Sequence, residues 1–438
     1  MLHRSCDGDA AMTEIAQRLA RTIDEAWTLM DAIGRDTADP PPGITRPAFG
    51  DAEQRAMEAV TAFAQAQGLV VERDGFGNHH ILLPGLEPGP AVAAGSHLDS
   101  VPNGGNFDGL AGAAAAVAVL AAVAASGVRT RRPLRAVLMR GEESPWFGTA
   151  YLGSRLLLGR SPFSEIGALV RRDSGRTLAE HLRALGYTPG AAPVLDASTV
   201  ACFFELHIEQ GPLLIEQNAP VGIATASRGN IRHPWARCRG AYAHSAALPR
   251  KYRRDAVLAV AELALELDAF WAAREAAGDD NFVATMGQFS TDPAQHAMTK
   301  VAGEVSFTLN LGATAPATLD AARAALHHAI TRIETERRVT FDLGAEVCAT
   351  PAPYDAALIG LLENSAAASG IASLRMPTVG HDAAMFALSG IPAAVLLVRN
   401  ANGSHNPDET MLQADFAAGV SVLAGAMLAA AGTAEALA

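Results

Sequence analysis

Two stretches, Gly95-Ser-His-Leu-Asp-Ser-Val-Pro-Asn-Gly-Gly-Asn-Phe-Asp-Gly109 and Arg140-Gly-Glu-Glu-Ser144, concentrate residues able to do chemistry: His97, Asp99, Asp108, Glu142 and Glu143. Each stretch follows a short apolar run that reads as a strand, and His207 and His405 follow two more. Imidazole nitrogens mixed with carboxylate oxygens suit zinc, manganese, cobalt or nickel, whereas magnesium and calcium favour oxygen alone. A pair of neighbouring ions needs one shared carboxylate and further ligands on each side. We assign Asp108 as the shared ligand, His97 and His207 to one ion, and Glu143 and His405 to the other. Glu142 is then left free. Water on such an ion has its pKa lowered from about 15.7 to about 7, so a metal-bound hydroxide becomes the nucleophile. Glu142 is the expected general base, passing the proton on to a leaving nitrogen. Asp99, close after His97, is placed to accept the other imidazole N–H and fix its tautomer. His405, in Gly403-Ser-His-Asn-Pro407, has a second reading as a loop cap.

These residues need a scaffold that gathers strand ends. Runs at 91–95, 134–139, 201–206 and 393–398 read as strands, and 111–125 reads as a helix. Strands alternating with helices up to about residue 226 predict an α/β layer with a largely parallel sheet. In such sheets ligands collect beyond the carboxyl ends of the strands. After Gly229 the pattern becomes a strand (231–241), a helix (253–273), strands at 282–289 and 301–311, a helix (316–334) and a strand (338–347). This β-α-β-β-α-β order is that of a ferredoxin-like module. From about Pro351 the α/β pattern resumes, with a helix from Tyr354 and a last helix from Leu412. The expected domains are therefore a discontinuous catalytic domain, 12–227 and 349–438, and an inserted one, 228–348. The uncharged run 109–128 is mostly alanine and glycine and reads as a buried helix ending at Gly127 rather than a membrane span. Asp74-Gly-Phe-Gly-Asn78 reads as a hairpin turn, not a nucleotide-binding loop.

The 438 residues are 49% hydrophobic and 18% charged, enough apolar content for large cores in two or three domains. A net charge of −12 argues against nucleic acid or an anionic membrane as partner and favours a small molecule. Cys6, Cys202, Cys238 and Cys348 show no paired spacing and read as reduced thiols. With no apolar leader near Met1, the expected location is the cytoplasm. Met12 is an alternative start, which would leave a short, unstructured extension before it.

The segments 95–109, 141–143, 148–155, His207-Ile-Glu-Gln-Gly-Pro212, Gly380-His-Asp-Ala383 and Gly403-Ser-His-Asn-Pro-Asp-Glu409 resemble the hydantoinase/carbamoylase amidases. That family includes N-carbamoyl-L-amino acid hydrolases, β-ureidopropionase and allantoate amidohydrolase. The resemblance covers nearly all of the chain after Met12. It implies a zinc-exopeptidase-like catalytic domain, two divalent ions per subunit, and an inserted domain that dimerises and acts as a lid. It also implies substrate-binding roles for Gln210 and His381. Gly240-Ala-Tyr-Ala-His-Ser-Ala-Ala-Leu-Pro249 resembles the lid motif whose histidine reaches the neighbouring subunit, so His244 is the expected oxyanion stabiliser.

The chain departs from that family at three places. Thr299 and Gly312 stand where the family carries an Asn and the Arg that clamps the substrate carboxylate. Either the substrate lacks that carboxylate or another cation has taken over, Arg399 first, with Arg228 and Arg232 behind it. Trp146 replaces a frequent Arg, either making a pocket wall more apolar or packing in the core. The expected function is hydrolysis of a linear amide-type C–N bond, foremost an N-carbamoyl or ureido group. An N-acyl amino acid amidohydrolase or dipeptidase is the alternative, and a non-catalytic binding protein on the same fold the third reading.

Overall fold

Apolar runs and helices alternate through the first half of the chain, and the sheet they build puts four parallel strands at its centre. In the computed structural model the described residues are 4–39, 43–189, 195–279 and 281–432. Met1 lies outside them. Two compact units result, one from Met1–Thr225 with Tyr354–Ala438 and the other from Ala226–Pro353.

In the first unit the strands run Val221–Ser227, Ala393–Val398, Val200–Ile208, Ala91–His97, Leu134–Met139, His79–Leu83 and Val70–Arg73 across one sheet. The second to fifth of these are mutually parallel, and the flanking pairs are antiparallel. The central strands are buried along nearly their whole length, which explains continuous apolar runs in place of alternation. Two of them are longer than their apolar runs. The ladder continues through His97 opposite Met139 and His207 opposite Leu397, so both histidines sit in the last turns of strand rather than after it.

The helix Leu110–Ser126 is buried from Leu110 to Val123 and ends at Gly127 in the left-handed conformation, as its composition predicts. It packs on the strands ending at His97 and Ile208 and on the helix Arg4–Asp36. That first helix runs back through Met12, where an unstructured extension was expected. The helix Gln413–Ala431 is long and apolar enough to cross a membrane, but most of it is buried against the same sheet. The turn after Arg73 is a hairpin, with the Asp74 carboxylate accepting the N–H groups of Phe76 and Asn78.

The second unit is an antiparallel sheet in the order Val283–Thr285, Glu304–Ala313, Gly229–Arg239, Thr340–Asp342. Helices Ala256–Ala276 and Pro316–Arg337 cover the face carrying Val305, Phe307, Leu309 and Leu311. The strands read at 282–289 and 338–347 each break in two. The first breaks where a register shift at Thr308 lets Gln288 bond its hydroxyl. The second breaks at Gly344, where φ is 65°.

Candidate metal centre

Asp108 precedes Gly109, which starts the buried helix with φ 68°. A Cβ at Gly109 would come 2.5 Å from the His97 ring, so only glycine lets the aspartate turn in beside that imidazole. The Asp108 Oδ1 then lies 3.4 Å from His97 Nε2 and 3.2 Å from His207 Nε2. Its Oδ2 faces the other way, 3.5 Å from His405 Nε2, which is 3.3 Å from Glu143 Oε1. Two groups thus form, His97–Asp108–His207 and Asp108–Glu143–His405, each compact enough for one cation. Within them, His97 Nε2 and Glu143 Oε1 are buried without any hydrogen-bond partner. Orphaned polar atoms cost free energy unless something else meets them, and a divalent ion fits this donor set of nitrogen and oxygen.

Glu142 is largely buried, its side chain 12% exposed, with Oε2 3.9 Å from His97 Nε2. Burial pushes its carboxyl well above the ordinary range, and Glu143 adds to this against the pull of His97. Burial opposes charge on His97, yet Asp108, Asp99 and Glu142 together hold its pKa well above 6.5. The Asp108 and Glu143 carboxylates raise His405 to about 11. Asp108 is held well below the usual range because His207, His405 and His97 outweigh its burial.

Asp99 meets both His97 and the Glu142–Glu143 backbone. The His97 Nδ1 lies 3.1 Å from the Asp99 carbonyl and 3.3 Å from Oδ1. The carboxylate accepts the backbone N–H of Glu142 at 3.0 Å and of Glu143 at 3.1 Å. Gln210, at φ 66°, donates from Nε2 to Asp108 Oδ2 at 2.7 Å. His381 lies against His207 with ring centroids 4.1 Å apart and the rings tilted by 39°, and meets Thr378 Oγ1 at 2.8 Å. Burial, then the neighbouring His207, keeps His381 well below the usual histidine pKa.

Arg399 is not gathered with them. Its Nε and Nη2 pair with the Asp415 carboxylate at 3.0 and 2.7 Å, and Nη1 bonds Asn218 Oδ1. With every guanidinium nitrogen engaged, it is an ion-pair arginine, and the expectation that it anchors substrate is withdrawn. Trp146 packs in a core cluster and donates its indole N–H to Ser100 O at 2.7 Å. His244 belongs to the second unit, exposed, with its Nδ1 accepting the N–H groups of Ala246 and Ala247. In that unit Thr299 O accepts the Ser245 N–H, and the Arg228 Cδ stands 4.0 Å from where a Cβ at Gly312 would be. The Arg228 Nε donates to Asn281 O, and Arg232 bonds Asn310.

Several supporting residues escaped the sequence reading. Ser404 Oγ lies 2.7 Å from both Asp108 Oδ2 and Glu409 Oε2, and Glu409 accepts the Phe107 N–H. Their place in Ser404-His-Asn-Pro-Asp-Glu409 was the available signal. Arg46, fully buried, donates to Leu98 O, Asn106 O and Asn106 Oδ1, fixing the loop between His97 and Asp108. Nothing in its local sequence marks it.

Residues 93–429 match peptidase family M20/M25/M40, and the chain belongs to that family and is a hydrolase. Among its relatives is an N-carbamoyl-L-amino acid amidohydrolase of Geobacillus stearothermophilus, 34% identical over 65% of this chain and 68% of that protein. Allantoate amidohydrolase of Escherichia coli is 28% identical over 92% and 96% of the two chains. The crystal structure of a hydantoinase/carbamoylase family amidase from Burkholderia ambifaria superposes with a TM-score of 0.84 at 31% identity, covering 94% of this chain and 98% of that one. The resemblance read from the sequence motifs holds.

Proposed function

We propose that the chain is a two-metal amidohydrolase that opens the carbamoyl or ureido C–N bond of a small molecule. The observation that carries this is the pair of ligand groups sharing Asp108 with Glu142 beside them, unengaged in either group. His97, Asp108 and His207 would hold one divalent ion, and Asp108, Glu143 and His405 the other. Zinc, manganese, cobalt or nickel so bound supplies Lewis-acid polarisation of the carbonyl and acidifies water. Glu142, raised by burial, takes the proton of the attacking water and returns it to the leaving nitrogen. Asp99 orients His97 and holds the Glu142–Glu143 backbone. Gln210, after the strand Val200–Ile208, and His381, at the start of the helix Asp382–Leu388, bind substrate.

In this reading the second unit is a ferredoxin-like lid through which the protein forms a homodimer, and His244 of the partner subunit stabilises the oxyanion. The antiparallel order of its strands supports that fold. We assign the substrate carboxylate in that unit to Arg228, whose side chain passes beside Gly312. The unpaired, buried thiols of Cys202 and Cys238 suit the cytoplasm.

Ammonia release measured across N-carbamoyl and N-acyl amino acids tests the substrate class. Ammonia and free amino acid from the carbamoyl compounds are expected. Turnover of the N-acyl compounds alone, giving an organic acid, would favour the aminoacylase alternative instead.

A further inference from the structure

Asn400 is 1% exposed and lies between two loops that approach Asp108 from different strands. Its Oδ1 accepts the N–H of Gln210 at 2.9 Å, and its Nδ2 donates to the carbonyl of Gly403 at 2.6 Å. The first loop follows the strand Val200–Ile208, and the second carries Ser404 and His405. Both loops use backbone that side chains rarely adopt, with φ 66° at Gln210, 66° at Asn402 and 61° at His405. Conformations of this kind persist only where the surroundings over-determine them. Ser404 ties the His405 loop to Asp108 itself, and the other asparagine bonds in the loop are local. Asn402 donates to Asp408 O, and Asn406 donates to Asn402 O and Ser404 O. Asn400 alone among these asparagines ties that loop to the neighbouring strand end. The two side chains it serves converge on a single atom, Asp108 Oδ2, Gln210 Nε2 at 2.7 Å and His405 Nε2 at 3.5 Å.

We propose that Asn400 is a positioning residue that sets the metal ligand His405 and the substrate-binding Gln210 against Asp108 as one assembly. This rests on the two-ion reading above. One amide joins the two loops, so the His405 ligand and the Gln210 contact are placed together. Asparagine is suited to this because it offers an acceptor to an N–H and a donor to a carbonyl from one planar group.

The variants Asn400→Asp and Asn400→Ala separate the two arms. Aspartate keeps the acceptor for Gln210 but turns an oxygen toward the Gly403 carbonyl, releasing the His405 loop. Chelator competition should show one of the two ions held about 10–100-fold more weakly in Asn400→Asp, the other unchanged, and KM near wild type. Asn400→Ala should add a rise in KM, because Gln210 is released as well. If Asn400→Asp keeps both ions and KM at wild-type values and loses only thermal stability, the proposal is wrong. Hydrogen exchange supplies a readout that needs no variant: the Gln210 amide should be slow in the wild-type protein. Exchange there at the rate of an open loop would overturn the brace. A wild-type protein that binds fewer than two ions would instead overturn the two-ion reading, and Gln210 exchange would still decide whether the brace exists.

Discussion

Asp99 meets His97 Nδ1 through its carbonyl, with its carboxylate 3.3 Å away, and that carboxylate accepts two consecutive main-chain amides, so one residue sets the relative positions of His97, Glu142 and Glu143. Replacing it with Asn puts an NH2 group against one of those N–H donors and loses its charge beside His97. Asp99→Asn is therefore expected to weaken metal affinity by about 10–100-fold, read by chelator titration. Glu142→Gln removes only the proton acceptor. Metal content should be unchanged while kcat falls by about 10²–10⁴-fold. The pH dependence follows from His405. Its pKa of about 11 in the folded, metal-free protein is raised from 6.5, so its pairing with Asp108 and Glu143 contributes fully below 6.5 and is lost as pH rises toward 11. A metal ion must displace that proton, so metal affinity should rise with pH and binding should release protons. Calorimetry in two buffers of different ionisation enthalpy measures this. Identical heats in both would contradict it.

At the scale of elements, the parallel strands create the site by ending at one edge, and the loops beyond them do the aiming. Gly109 is a tight joint, because the helix Leu110–Ser126 starts against the His97 ring. Gly109→Ala should displace either the helix start or the imidazole. A weakened metal site with retained far-UV circular dichroism is the expected outcome, and wild-type metal affinity would refute it. These elements were legible in the sequence because buried parallel strands are written as unbroken apolar runs, and each run is followed by its ligand. The break of 282–289 was not legible, since it depends on a register shift in the strand facing it. Arg46 was equally hidden. Its partners, Leu98 and Asn106, lie far along the chain, and a lone arginine has no periodicity to betray a buried role. Arg399 misled for the opposite reason: it is near His405 in sequence, but its partner Asp415 comes from the last helix.

For the whole molecule, the proposal divides catalysis between subunits, with the metal ligands and Glu142 in one chain and His244 supplied by the other. Co-expressed Glu142→Gln and His244→Ala chains should then regain activity that neither variant has alone, because one mixed site is intact. Failure to complement in a proven heterodimer would place His244 in its own subunit's site or outside catalysis. Arg228→Ala should raise KM for substrates that carry a carboxylate and leave neutral ureido compounds unaffected, if the cation beside Gly312 has replaced the missing clamp. An equal effect on both would remove Arg228 from recognition. All of this depends on a pair of ions sharing one carboxylate. Anomalous diffraction from crystals of the zinc-loaded protein tests that directly. Two peaks per chain are predicted, one among His97, Asp108 and His207 and one among Asp108, Glu143 and His405. A single peak, or a second ion held without Asp108, would contradict it.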